Sequence, residues 1–286
     1  MTTPPAPADP AEALLRFSPV VRDWFTASFA APTAAQAGAW DAIGRGEHTL
    51  VVAPTGSGKT LAAFLSAIDR LASTTGRPAG AGRCSVLYLS PLKALAVDVE
   101  RNLRSPLIGI GALAARTGVA LPEISVAVRS GDTSAVDRRS FGREGADILI
   151  TTPESLFLLL TSRAREMLTG ITTVIVDEVH AVAGTKRGAH LAVSLDRLDA
   201  LLESPAQRIG LSATVRPSRR SAGSSPAAAR SPWCGRRRPS RSTSTSSSRS
   251  RTCRSSASPP TTCPARPPGR WPAAASGRTS RSASST

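Results

Sequence analysis

An ammonium and a hydroxyl stand side by side at Lys59 and Thr60, behind the glycine-rich turn of the octapeptide APTGSGKT at 53–60. That grouping suits a polyphosphate. Gly56 and Gly58, with Thr55 and Ser57 beside them, let backbone N–H groups close around phosphate oxygens where a β-carbon would obstruct them. Lys59 can reach the β and γ phosphates of a nucleotide such as ATP, and the Thr60 hydroxyl can ligate magnesium. The strict pattern for such loops has glycine where this chain has Ala53. Taken alone, the octapeptide also fits a flexible Gly/Ser turn with an exposed lysine.

A second cluster lies 118 residues on, in VIVDEVH at 174–180. Three apolar residues deliver Asp177 to a strand end, where its carboxylate can hold magnesium, while Glu178 beside it can polarise an attacking water. The plain alternative is an acidic pair capping a helix. LSAT at 211–214 then offers two hydroxyls, Ser212 and Thr214, able to bond to His180 or Glu178 and sense the γ phosphate. His180 is otherwise a structural histidine. Upstream, the glutamine of PTAAQ, Gln36, has an amide suited to reading adenine through N6 and N7. It fits equally well as an exposed glutamine at a helix start. Phe17 and Trp24 are candidates to stack on a base or to fill the core.

Three further loops pair small or hydroxyl residues with a helix start: SPLKAL at 90–95, RSGDT at 129–133 and TTPESL at 151–156. Each fits an N-cap or a phosphate contact. Several along one edge suggest a track for a polynucleotide backbone.

These groups need strand ends to carry them. Apolar runs predict strands at 49–53, 85–90, 124–128, 147–151, 172–176 and 208–211, with helices at 35–43, 59–71, 93–103, 135–141, 154–161 and 188–202 between them. An earlier helical stretch, AEALLRFSPVVRDWFTASF, is interrupted at Pro19. Runs such as VLYLS, DILIT and TVIVD are continuously apolar in their centres rather than alternating, as in strands covered on both faces. The expected fold is α/β, a doubly wound, mostly parallel sheet with its ligands at the carboxyl ends of the strands.

The formal charge of +16 suggests a nucleic-acid partner until it is located. Residues 1–215 hold 21 basic and 20 acidic residues, and the other 15 positive charges are arginines in 216–286, where no acidic residue occurs. From Arg216 onward there is also no Leu, Ile, Val, Phe, Met or Tyr. Such a composition predicts a disordered Arg/Ser/Pro-rich tail at 216–286, as the Pro/Ala-rich start does for 1–10, leaving 11–215 as the folded body. Either a natural Arg/Ser tail or out-of-frame translation of a GC-rich gene accounts for the abrupt change, and the switch directly behind LSAT favours the second. Cys84 is alone in the body, and Cys234, Cys253 and Cys263 form no CxxC pair, so neither zinc nor a disulfide framework is expected. With no apolar run of 18 residues and no basic, apolar leader, the expected compartment is the cytoplasm, without a membrane partner.

The ordered set PTxxQ, PTGSGKT, SPLKAL, SGD, TPESL, DEVH and SAT resembles superfamily 2 DEAD/DEAH-type helicases, and GLSATVRP, DEVHAVAGTKRGAHL and TPESLFLLLTS are most similar to the Lhr (large helicase-related) group. The likeness runs from about Phe17 to Pro217. It implies a RecA-like P-loop NTPase domain using ATP and magnesium, acting on single-stranded or duplex nucleic acid, DNA or RNA–DNA hybrid. It implies that Gln36 contacts adenine, that Thr55, Gly56, Ser57, Gly58, Lys59 and Thr60 hold the triphosphate, and that Thr60 and Asp177 serve the metal. Lys59, Asp177 and Glu178 would be catalytic, and His180, Ser212 and Thr214 would couple nucleotide state to movement. Pro91, Gly131, Thr152 and Pro153 would lie along the bound strand. The resemblance further implies ATP-driven 3′ to 5′ unwinding and a part in nucleic-acid repair.

Such helicases carry a second RecA-like domain that donates arginines to the transition state, and no motif of it is present in the 286 residues. The expectation is therefore a first motor domain that binds ATP weakly and neither hydrolyses it efficiently nor unwinds a duplex. The alternatives are a non-enzymatic fragment binding nucleic acid through its basic tail, and a P-loop ATPase with another substrate.

Overall fold

The computed structural model describes residues 10–76 and 78–213. The expectations for 1–9 and for the tail at 216–286 lie outside these residues, as does Thr214. Pro10 already belongs to the first helix.

Six strands form one sheet: β1 (Thr49–Val52), β2 (Val86–Leu89), β3 (Val126–Arg129), β4 (Ile148–Thr151), β5 (Thr173–Val176) and β6 (Gln207–Ser212). Their order is β1-β6-β5-β2-β4-β3, and every neighbouring pair is parallel. Each expected strand is present, shifted by at most two residues at an end. The three central strands β2, β4 and β5 are buried at every position, which is why their sequences run apolar without alternation. The edges differ: β3 is half-buried throughout, and Leu50 and Val52 of β1 are exposed on either side of buried Val51.

Helices cover both faces. One side packs α1 (Pro10–Leu14), α2 (Pro19–Ser28), α3 (Ala34–Gly44), α4 (Lys59–Ser73) and α5 (Lys93–Thr117) around Phe25, Trp40, Ile68 and Tyr88. The other packs α6 (Ala135–Glu144), α7 (Pro153–Leu160) and α9 (Lys186–Leu201) around Leu156, Leu159, Leu195 and Leu198. A 3-10 turn at Arg163–Leu168 and a single-turn α8 (Val179–Val182) complete the set. The doubly wound parallel architecture is thus the one expected. Pro19 stands at the first turn of α2, where the missing N–H removes no helical bond.

The main departure is α5. The expected helix ends at residue 103, whereas the observed one runs through Pro106 to Thr117. An internal proline removes one backbone bond, but Leu103, Pro106, Ile110 and Ala114 are all buried along one stripe, and that packing outweighs the local preference. Phe17 and Trp24 both pack on the core side. Phe17 is buried with its ring edge-on to Trp40 at 5.0 Å, and Trp24 packs against Phe29 and the backbone of Gly109.

Among the described residues no helix is long and apolar enough to cross a membrane.

Candidate active site

β1 leads directly into the glycine-rich loop, and α4 begins at Lys59. Gly56 and Gly58 have φ of +81° and +79°, the left-handed region in which a side chain is strained, so glycine at both is required by the turn. Gly58 is also crowded: its N-cap position lies against Gln36, and an added β-carbon would sit 2.5 Å from Gln36 Nε2. Lys59 Nζ donates to the carbonyls of Ala53 (2.7 Å) and Pro54 (2.8 Å), folding the lysine back over its own loop. Ser57 Oγ is buried without a hydrogen-bond partner within the chain. A buried orphan hydroxyl, two left-handed glycines and a lysine at a helix N-terminus form a donor set for an anion, and a nucleotide phosphate fits it.

Gln36 is 4% exposed and already engaged. Thr33 caps α3 by accepting from the Gln36 N–H, while Gln36 Oε1 accepts from Thr33 N at 2.9 Å, a reciprocal capping box. The Nε2 end donates to Gly58 O at 3.4 Å, and Thr33 Oγ1 donates to Ser57 O at 3.3 Å. Gln36 therefore lies against the phosphate loop, with Oε1 and Nε2 each making one hydrogen bond within the chain.

β5 delivers Asp177 to its carboxyl end, two strands from β1 with β6 between them. Asp177 is 9% exposed. Its Oδ1 accepts from Glu178 N at 2.8 Å, and its Oδ2 accepts from the phenol of Tyr88 at 2.5 Å. Tyr88 lies on β2, fully buried and stacked on Phe64 of α4 with ring centroids 4.8 Å apart. Burial holds the phenol well above its ordinary pKa, the carboxylates of Asp177 and Glu178 push the same way, and a hydrogen bond with the Thr60 hydroxyl opposes them. Of Thr60 and Asp177, the pair expected at a metal, Asp177 is thus held by Tyr88. Two oxygens of this kind beside a phosphate loop are the hard donors magnesium takes.

Glu178 has φ +45°, the one non-glycine positive φ among the described residues. A residue held in the left-handed region stores strain, and such positions cluster at functional sites. The next turn brings His180 to β6. His180 Nδ1 lies 3.3 Å from Ser212 Oγ, accepts from Ala213 N at 3.3 Å and sits 3.2 Å from Glu178 Oε2. These contacts compete. With Nδ1 unprotonated the ring accepts from Ala213, and with Nδ1 protonated it donates to Glu178. DEVH and the strand after it are thus in contact through His180, Ser212 and Ala213.

The three remaining loops line the same edge, on β2, β4 and β3. Pro91, Thr152 and Pro153 are buried, and Gly131 is exposed. Thr152 caps α7, its hydroxyl accepting from Ser155 N. SPLKAL departs from the capping pattern: Leu92 stands at the N-cap of α5 without a side-chain bond, and Ser90 Oγ donates to Leu92 O instead. What sequence reasoning missed is the fastening between loops. Lys93 Nζ pairs with Asp132 at 2.8 Å, and Arg187 pairs with Glu154 at 2.7 Å while donating to Pro91 O at 2.8 Å. Arg187 holds the Glu154 carboxyl below its ordinary range. Tyr88 was also missed, although it carries the one hydroxyl in the otherwise apolar strand VLYL.

Comparison with known proteins places these features in context. A family model described as DEAD/DEAH box helicase matches residues 33–221. The chain is 67% identical over 207 residues to the Lhr helicase/probable uracil glycosylase of Mycolicibacterium smegmatis, covering 72% of this chain and 14% of the relative. It is 48% identical over 200 residues to the ATP-dependent helicase Lhr-Core of Methanothermobacter thermautotrophicus, covering 70% of this chain and 23% of the relative. The structure of Mycobacterium smegmatis helicase Lhr bound to ssDNA and AMP-PNP superposes with a TM-score of 0.68 at 67% identity, over 72% of this chain and 26% of that one. Mss116p bound to ssRNA and AMP-PNP, at 16% identity and TM-score 0.60 over 74% of this chain and 43% of that one, shares the fold. The chain spans under a quarter of the length of these two curated relatives.

Proposed function

Because the chain belongs to the DEAD/DEAH box helicase family, we propose that residues 11–215 are the ATP-binding motor domain of a nucleic-acid helicase or translocase of the Lhr type. One observation carries this reading: Lys59 and Thr60, Asp177 and Glu178, and Ser212 with His180 meet at the carboxyl ends of the adjacent strands β1, β5 and β6. The Lhr structure holding both ssDNA and AMP-PNP supports the same assignment of substrates.

In this reading the N–H groups of residues 56–60 and the Lys59 ammonium bind the triphosphate oxygens. Thr60 and Asp177 would hold magnesium, which when bound supplies positive charge against the phosphate oxygens. Glu178 orients the attacking water and takes its proton. His180 exchanges partners between Glu178 and the Ser212–Ala213 backbone, and so ties the water-activating carboxylate to β6. The loops at 90–95, 129–133 and 151–156 present the nucleic-acid edge.

Among the described residues, the groups proposed as catalytic stand on one wall, the edge of a single sheet. We infer that the 286-residue chain by itself turns ATP over slowly and does not unwind a duplex, since phosphoryl transfer gains roughly 10³ to 10⁵ from a positioned arginine on the far side of the phosphate.

The test is nucleotide binding by the purified 286-residue chain. Lys59→Ala should abolish fluorescent-ADP binding, and single-stranded DNA should change the ATP affinity of the unsubstituted chain. Nucleotide binding that survives Lys59→Ala overturns the reading. Salt-sensitive DNA binding without nucleotide coupling, lost on removal of 216–286, would identify a tail-driven binder instead.

A further inference from the structure

Resting on the nucleotide reading above, we propose that Tyr88 is a positioning residue for magnesium, fixing the direction of the Asp177 carboxylate from the neighbouring strand β2.

The geometry is specific. β2 is buried at all four positions, yet its third residue is a tyrosine, the one tyrosine in the whole chain. A buried phenol needs partners for its oxygen, and a phenylalanine would pack equally well on Phe64 without them. Here the partner is a residue expected at the metal. The phenol donates to Asp177 Oδ2 at 2.5 Å. Asp177 Oδ1 is held separately by Glu178 N. Both carboxylate oxygens are therefore fixed in direction, and the carboxylate cannot rotate without breaking a charge-assisted bond. The ring is clamped too, since Phe64 stacks on it with an interplanar angle of 15°.

The strand order explains how Tyr88 reaches the site. β2 lies next to β5, with Tyr88 opposite Ile175 in the ladder, two residues before Asp177. The phenol spans the distance from mid-strand to strand end. Partners of this kind, which touch the ligands rather than the metal, typically change metal affinity by about 10–100-fold when removed.

The experiment compares the full 286-residue chain with Tyr88→Phe, titrating ADP in EDTA and then magnesium at fixed ADP. The expected result is an unchanged ADP affinity in EDTA and a magnesium midpoint raised about tenfold or more. An unchanged magnesium midpoint overturns the proposal. A readout independent of the variant comes from tyrosine labelled with ¹³C at Cζ. The chain has one tyrosine, so one resonance reports on this bond. It should shift when magnesium is added to the ADP complex, and a resonance that stays still overturns the proposal even if Tyr88→Phe fails to fold. Failure of the unsubstituted chain to bind ADP at all would instead overturn the nucleotide reading on which the proposal stands.

Discussion

The side-chain amide of Gln36 occupies the space that a β-carbon on Gly58 would need, with Nε2 2.5 Å from that position. The capping box of α3 and the phosphate loop are therefore built against each other. Gly58→Ala should destabilise the fold by about 2 kcal/mol or more, from the left-handed φ and the overlap together. The double variant Gln36→Ala/Gly58→Ala should recover the overlap part and leave the backbone part. Strictly additive losses in urea melts would show that the contact carries no energy.

Glu178 gives the opposite sign. Its φ of +45° is strained for any side chain, so Glu178→Gly should relieve strain and raise stability by about 1 kcal/mol while abolishing turnover. Urea midpoints at unchanged slope are the measurement. A net loss would mean that the carboxylate contact with His180 outweighs the backbone strain.

Arg187 joins two of the loops proposed above to face nucleic acid, so Arg187→Ala should weaken single-stranded DNA binding several-fold and leave ADP affinity in the absence of DNA unchanged. The pair also has a pH signature. Arg187 lowers the Glu154 carboxyl from its ordinary 4.5, so the stability it contributes is complete above that value and is lost as pH falls through the lower folded value. Melting temperatures of the two proteins should converge in that acid window. A gap that persists below it would assign the effect of Arg187 to its bond with the Pro91 carbonyl.

Cys84 is fully buried, and burial pushes its thiol up to about 12. At pH 8 only roughly one thiol in ten thousand is then ionised, so alkylation of the native protein should spare this residue. Peptide mapping after iodoacetamide should find Cys84 modified only when denaturant is present. Labelling at the rate of a free thiol would show that β2 opens readily.

Much of this was legible beforehand because the signals are local. Continuous apolar runs such as ILIT and TVIV report burial on both faces, and GSGKT reports a turn that only glycine can make. DEVH and the serine of SAT were legible as partners, and His180 and Ser212 do meet. The remainder depends on which strands are neighbours, and no local pattern encodes that. Tyr88 sits 89 residues from Asp177 and is joined to it only because β2 lies beside β5. Arg187 reaches Pro91 across 96 residues for a similar reason. The length of α5 was hidden differently, since Pro106 is a local stop signal that a buried stripe overrides.

The pairing of β1 with β6 bears on how the molecule is made. β1 carries the phosphate loop on the sheet's edge, and its ladder partner is β6, 160 residues later. During synthesis, the loop emerges long before the strand against which it is set. Chains ending before Gln207 would leave Thr49–Val52 without its ladder and the backbone of Ala53 without the Ser212 carbonyl that receives its N–H. The nucleotide site is accordingly among the last parts of the domain to assemble, closed by the same strand that brings Ser212 to His180.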